Sequence, residues 1–443
     1  MKKKLMGLWA GLSVFSALLA VMAYLPRNNF WLLLAVYSLL FLIYTVVCHY
    51  SADQARRIQP LLVFSFFCRL VFIFSVPTLS DDFYRFLWDG HLLIHGLNPY
   101  TYLPVEVLEH MSATDPVFYE ELFLGLNSPE YYSIYPPINQ VVFAMAAYIG
   151  RQDLLLNLLV IRGVLFVFEM GVVFLLYQLT VMLNLPKKNV LVYALNPLVL
   201  LEIGGNLHFE GIMLFFVLAA IYFVAKQPKM SGISLGTAIG VKLTPVILVP
   251  AFLRFVFPLK RWVFVLSLSM SAAVMMAPVL LDGAAPYFLE SLGLYHGKFE
   301  FNASVYYLIR NMVMWIVGFN PIAILSPLLG LITWGLIIWV SLKYDRRERS
   351  VSQLVETAVL LYLIYLILHP VVHPWYLLVP FGISVLGAQR SFLVWSYVVF
   401  LSYAGYQSSI VEEIWWLQLI QYGTLMFFIW RDSLFIRKKV LIC

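Results

Sequence analysis

Two adjacent carboxylates, Asp81 and Asp82, follow directly on an apolar run, at the start of the stretch SDDFYRFLWDGHLLIHGLNPY that spans Ser80 to Tyr100. A carboxylate within hydrogen-bond reach of a hydroxyl can take its proton, and ionisable groups kept at the edge of an apolar chain mark functional sites by default. The complementary charge lies in GVKLTPVILVP, where Lys242 interrupts an apolar run. A lysine deep in such a run costs at least about 2.5–3.5 kcal/mol, so it should face a cavity or an anion. Pro245 breaks the helix three residues later, and the freed backbone must line protein or water. Arg310, in EFNASVYYLIRN, is a comparable case.

Three further segments carry polar groups of the same kind. Asn196-Pro197 leads to GGNLHFEG, with His208 and Glu210 at its end. His369-Pro370 and His373-Pro374-Trp375-Tyr376 form a rigid, aromatic-rich turn. Tyr135-Pro136-Pro137 fixes an extended lead into a helix whose first turn contains Gln140. Plainer readings stand beside these: two favourable first-turn acids, a turn with interfacial tyrosines, and a His–Glu pair that satisfies itself. Taken together, cations and imidazoles near an acid pair suit a negatively charged, lipid-linked substrate.

The elements that must position these groups follow from the flanking pattern. Ser80 is a good N-cap, and Asp81 and Asp82 fall in the first turn, where the helix dipole favours negative charge. Phe83, Phe86, Leu87, Gly90 and Ile94 recur at helical spacing, and Gly96 with Pro99 ends the segment. This predicts an amphipathic helix lying on the membrane surface. Arg85 is four residues from both Asp81 and Asp89, so ion pairs along one face are expected, and Arg85 would hold Asp81 ionised. On that ground Asp81 is the expected base and Asp82 a positioning residue or cap. Trp88, Asp89 and the GLNPY turn add chemistry beyond a cap.

The chain has 443 residues, 62% hydrophobic and 12% charged, against roughly 25% charged in a soluble domain. It therefore reads as an all-α polytopic membrane protein. The net charge of +6 does not imply nucleic acid, because most of the excess Lys and Arg lies in short loops between apolar runs. The three cysteines, Cys48, Cys68 and Cys443, show neither a disulfide framework nor metal-ligand spacing, and no metal or cofactor is expected. Expected crossings are 5–25, 30–48, 61–77, 155–183, 189–205, 211–226, 261–281, 322–343, 354–369, 375–388, 391–405 and 414–430. The first is read as a retained span rather than a cleaved signal. Segments 137–150, 233–256 and 305–318 are short or broken and are read as surface-lying or re-entrant. With that choice 21 of the 29 basic residues fall on one side, which makes both termini cytoplasmic and 78–154 a long outer loop. Loops of that length are usually functional. The chain reads as one membrane domain: two N-terminal spans in 1–60, the outer loop, and a last span with a cytoplasmic tail in 405–443.

The order of these motifs resembles the GT-C superfamily of integral-membrane glycosyltransferases, especially its polyprenyl-phosphate-mannose branch. That branch includes the mannosyltransferases of GPI-anchor and bacterial lipoglycan synthesis. The resemblance rests on the acid pair with its YR-W-DG-GLNPY helix, then YPP, NP before H-x-E, K-x-x-P and HPWY, across about residues 61–400. The first two spans are additional to the family's usual start, and the acids are D-D where some relatives have D-x-D. The resemblance implies outward-facing, inverting transfer of a hexose, most simply mannose, from a polyprenyl-phosphate sugar to a lipid or glycan acceptor in a bacterial plasma membrane. Asp81 and Asp82 would be catalytic, with Lys242, Arg310, His208 and His373 at the donor phosphate. Arg85, Trp88, Asp89, Tyr135, Gln140, Glu210, Trp375 and Tyr376 would bind substrate. A lipid-linked saccharide transporter is the alternative, although its charges should run through the membrane depth and ideally accompany internal repeats. A polysaccharide polymerase or ligase would carry its large outer loop late in the chain rather than first.

Overall fold

The computed structural model describes residues 2–50, 58–343, 350–387, 389–408 and 410–440. Of the residues named or counted above, Arg56, Arg57, Arg346, Arg347, Arg349 and Cys443 lie outside them. The protein is a helical membrane protein. Its helices in order are α1 (Lys2–Met22), α2 (Phe30–Tyr50), α3 (Ile58–Leu70), α4 (Asp82–Ile94), α5 (Pro104–Ser112), α6 (Pro116–Leu124), α7 (Pro137–Gly150) and α8 (Leu154–Met182). Next come α9 (Asn189–Ala194), α10 (Pro197–Val199) with a wider π turn over Leu200–Gly205, α11 (Glu210–Phe223), α12 (Pro228–Val241), α13 (Val249–Phe255) and α14 (Arg261–Leu280). The remainder are α15 (Ala285–Lys298), α16 (Val305–Val317), α17 (Ile322–Lys343), α18 (Val351–Leu368), α19 (Leu378–Ser384), α20 (Ser391–Val398) and α21 (Trp415–Val440).

Among the described residues five helices are long and apolar enough to cross a bilayer, or six if one bent pair is a single span. That differs from the twelve expected runs. The run 61–77 yields a helix of only 13 residues, 189–205 is cut at Pro197 into α9, α10 and the π turn, and 375–388 opens with a 3-10 turn. Hydropathy reports how apolar a run is but not whether its backbone stays straight, so broken and continuous segments look alike in sequence. Segments 137–150 and 305–318 form the short helices α7 and α16, while 233–256 is interrupted at Lys242 between α12 and α13.

The bent pair matters most for the site. Pro197–Gly205 and Glu210–Phe223 meet at 116°, across Asn206, Leu207, His208 and Phe209. The Asn206 N–H reaches back five residues to the Leu201 carbonyl at 2.8 Å, and the buried Leu207 adopts a left-handed φ of 64°. Strained backbone of this kind persists only where the surroundings over-determine it, and it gathers at functional sites.

Helix α4 is not the surface-lying amphipathic helix expected. Arg85, Phe86, Leu87, Trp88, Asp89, Gly90, His91 and Leu92 are all buried, covering every side of the helix. Helix α7 packs against it so closely that a Cβ on Gly90 would sit 2.2 Å from the Phe143 carbonyl. The periodic face was real, but the opposite face is covered too, by α6 and the loop that follows it. The helix also starts one residue late: Asp81 is the N-cap, and Ser80 Oγ accepts from the Asp82 N–H at 3.3 Å. Gly232, Gly236 and Gly240 line one face of α12 and let it approach α14, where added Cβ atoms would meet Phe264 O, Leu268 O and Met275 Cβ at 2.5 Å each. Small residues at fourfold spacing are how membrane helices approach closely.

Helices α1 and α2 belong to the main body. Tyr37 donates to the Ser396 carbonyl at 2.6 Å and stacks on Phe400 at 4.0 Å, and Tyr44 donates to the Val192 carbonyl at 2.7 Å. Inside the body, Arg69 of α3 meets Glu169 of α8 at 2.8 Å, both buried, with the Tyr193 hydroxyl on the other carboxylate oxygen at 2.8 Å.

Candidate active site

The loop ahead of α4 is tied to the helix break. The Leu79 N–H donates to Asn206 Oδ1 at 3.3 Å, and Asn206 in turn donates to Glu202 Oε2 at 3.1 Å. This brings the acid pair to the bend between the π turn and α11. The two adjacent aspartates then diverge. Asp81 pairs with Arg27, from the turn between α1 and α2, at 2.6 Å. Asp82 accepts from Asn127 Nδ2 at 3.3 Å and lies within electrostatic reach of Lys242 and Glu210. Burial raises the Asp82 carboxyl to about 6, with Lys242 and Asn127 pulling the other way.

Lys242 follows the last residue of α12 in an extended conformation, which turns its side chain out of the helix. Its ammonium lies 2.5 Å from Glu210 Oε1 and 4.6 Å from the centre of the Tyr376 ring. Beside it runs a stack of flat side chains. His208 lies on Trp375 at 3.9 Å, Trp375 on His373 at 4.3 Å, and His373 on Phe301 at 4.8 Å. His373 is not the cation expected: burial first, then the charge of Lys242, pushes its imidazole down to about 3, so it is neutral near pH 7. Among the described residues its buried Nδ1 has no hydrogen-bond partner, leaving a ring nitrogen available to a ligand. His208 Nε2 comes within 3.4 Å of Glu202.

Asp81, Asp82, His208, Glu210, Lys242, His373, Trp375 and Tyr376 are thus drawn into one region, and the other expected residues are not. Arg85 turns away from Asp81, whose partner is Arg27, and pairs with Asp89 at 2.7 Å while donating to the Ser128 and Tyr131 carbonyls. Asp89 also accepts from Ser133 and, at 2.9 Å, from Gln140, closing a buried network under the loop. Arg85, Asp89 and Gln140 therefore hold α4 to the loop after α6 and to α7. Trp88 packs against Tyr119 and Phe123, and Tyr135 against Phe86 and Phe143. Arg310 belongs to a separate cluster, where Glu300 neutralises it and its guanidinium covers the Tyr307 ring at 4.4 Å.

Three residues of the region went unread in the sequence. Glu202 is buried in the π turn and receives the Tyr403 hydroxyl at 2.5 Å. An acid inside the apolar run 189–205 meets the same criterion that singled out Lys242. Arg27 and Tyr406 carry no such signal, since each lies in a polar connection and acquires its role only through packing; Arg27 is 5.2 Å from the centre of the Tyr406 ring.

A family model described as alpha-(1->6)-mannopyranosyltransferase, N-terminal domain, matches residues 7–258, more than half of the 443-residue chain. The chain belongs to this family. It is a mannosyltransferase-family membrane protein, and the match begins within α1. The first two helices therefore lie within the matched N-terminal domain, in keeping with their packing and with the Arg27–Asp81 pair. Arg27, both aspartates, Glu202, His208, Glu210 and Lys242 fall inside the matched residues, and the Trp375 stack and Tyr406 fall beyond them. No curated protein matches the chain.

Proposed function

We propose that the protein transfers mannose from a polyprenyl-phosphate donor to a hydroxyl of a lipid or glycan acceptor, with inversion, at the outer face of a bacterial plasma membrane. The observation that carries this reading is the convergence at the helix break of the loop leading to Asp82, tied there through Leu79 and Asn206, with the Lys242–Glu210 pair, so that a carboxylate and an ammonium lie within electrostatic reach of one another. Asp82 is the base. It takes the proton from the acceptor hydroxyl as that oxygen attacks the anomeric carbon, and the bond to the phosphate oxygen breaks with its electron pair. The departing phosphate monoester gathers charge, which Lys242 and a neutral imidazole N–H of His373 would stabilise, the electrostatic contribution that is often the largest in catalysis. An α product formed by inversion requires a β-linked donor.

In this reading the GT-C-like bundle has about twelve crossings, with 137–150, 233–256 and 305–318 surface-lying or re-entrant, both termini are cytoplasmic, and residues 78–154 lie outside. Purified protein in nanodiscs, supplied with radiolabelled polyprenyl-phosphate mannose or GDP-mannose and a mannoside acceptor, tests it. Label should pass from the lipid donor alone. Transfer from GDP-mannose, or movement of lipid-linked sugar between leaflets without transfer, overturns it.

A further inference from the structure

Beside the acid pair, on the side of Asp81, the structure has an open surface pocket of about 430 Å³ lined by Pro26, Arg27, Asn28, Thr78, Tyr406, Gln407 and Ser408. That volume falls in the range of small-molecule sites, roughly 300–1,000 Å³. The lining combines a flat aromatic ring with amides and hydroxyls that both donate and accept. Its charge is a single guanidinium already matched by Asp81 at 2.6 Å.

The chemistry of this lining selects its occupant. An anion would have to compete with Asp81 for Arg27. The Gln407 amide and the Ser408 hydroxyl already donate to the Ala404 and Ile410 carbonyls, but a polyprenyl chain would set the Asn28 amide and the Thr78 hydroxyl against hydrocarbon, which costs free energy. A neutral ring bearing many hydroxyls satisfies them and can rest its C–H face on Tyr406. The pocket also leads to the right place, because the Tyr406 hydroxyl lies within electrostatic reach of both Asp82 and Asp81. The two aspartates thus look in opposite chemical directions, Asp82 toward Lys242 and Asp81 toward this polar pocket.

We propose that the pocket is the acceptor subsite and takes the terminal hexopyranoside of a glycan, with one of its hydroxyls directed at Asp82. The proposal rests on the functional reading above. Asp81, held by Arg27, is then a positioning residue that shapes the pocket wall. The hydroxyl proton passes to Asp82 and the new bond joins that oxygen to the anomeric carbon of the donor sugar, while the bond from that carbon to the donor phosphate oxygen breaks and polyprenyl phosphate leaves with its electron pair.

Photoaffinity labelling tests the pocket without needing turnover. The probe is an octyl α-D-mannopyranoside carrying a diazirine on the sugar, irradiated with the full chain in detergent and mapped by peptide mass spectrometry. Adducts are expected on 26–28 and 406–408 and should disappear with excess methyl α-D-mannopyranoside. Adducts elsewhere, such as around Glu300 and Arg310, or none that the competitor removes, overturn the proposal. Kinetics supply a second test: Gln407→Ala, at an exposed position, and Tyr406→Leu should each raise the acceptor KM about tenfold, whereas Tyr406→Phe, which keeps the ring, should restore it. A raised donor KM with an unchanged acceptor KM also overturns it. If the wild type labels as expected yet does not use polyprenyl-phosphate mannose, the functional reading fails while the sugar site stands.

Discussion

The Lys242 ammonium lies 2.5 Å from the Glu210 carboxylate, and the pair joins the end of α12 to the start of α11 across the helix break. Glu210 is almost fully buried, while a third of the Lys242 side chain remains exposed. Removing the lysine alone leaves a buried acid without its partner, the arrangement that destabilises most. Lys242→Met should therefore lower the Tm in detergent, and Lys242→Met combined with Glu210→Gln should recover it. Neither variant should recover transfer, which falls by roughly 10²–10³ when a stabiliser of developing charge is removed. Transfer restored along with stability in the double variant would mean that the lysine is structural.

The divergent partners of the two aspartates separate their roles. Asp82→Asn keeps shape and hydrogen bonding but cannot accept a proton, so transfer should fall by roughly 10²–10⁴ with donor binding retained. Asp81→Asn loses the Arg27 ion pair and should cost less. The measurement is transfer from radiolabelled polyprenyl-phosphate mannose at equal protein. A larger loss in Asp81→Asn would exchange the assignments.

A base raised to about 6 gives the reaction an acid limb. Asp82 must be ionised to work, so kcat/KM should be level above that pH and fall about tenfold per unit below it. Lys242 favours the ionised form, so its removal should move the limb to higher pH. The profile is to be read in Lys242→Met, on whatever transfer survives. A limb that stays in place would dissociate the two charges.

Gly90→Ala tests how tightly the catalytic helix is seated. The added methyl meets the Phe143 carbonyl at 2.2 Å, a backbone atom that cannot swing aside, so α4 and α7 must separate. Overpacking of this kind costs typically about 1–3 kcal/mol. Thermal unfolding in detergent should show the loss, together with reduced transfer as the start of α4, which carries Asp82, shifts. A variant with wild-type Tm would mean that the contact is looser than the structure has it.

Much of the site was legible because charge is costly in an apolar chain. Lys242, Glu210, His208 and the acid pair stood out on that criterion alone, and they converge. Glu202 met it as well and was passed over within a long apolar run. What the sequence could not convey was partner choice. Arg85 has a carboxylate one turn away on each side, and spacing makes Asp81 and Asp89 equivalent. Burial separates them, since Ser133 and Gln140 complete a closed network around Asp89 while Arg27, far away in the chain, reaches Asp81. The same limit applies to α4, whose polar face looks solvent-ready until the Arg85 network covers it. Local periodicity fixed the helix, and long-range contacts decided what it faces.

The buried Arg69–Glu169 pair sets a schedule for making the protein. The partners are 100 residues apart, so α3 leaves the ribosome well before α8 exists to neutralise its guanidinium. A lone charge at mid-membrane costs about 2.5–3.5 kcal/mol even on insertion-based scales. Helix α3 is therefore expected to seat only once Glu169 and the Ala194 carbonyl are present to receive its arginine. An Arg69→Leu chain, with Glu169 stranded in turn, should show its defect first as protein missing from the membrane and only afterwards as a slower enzyme.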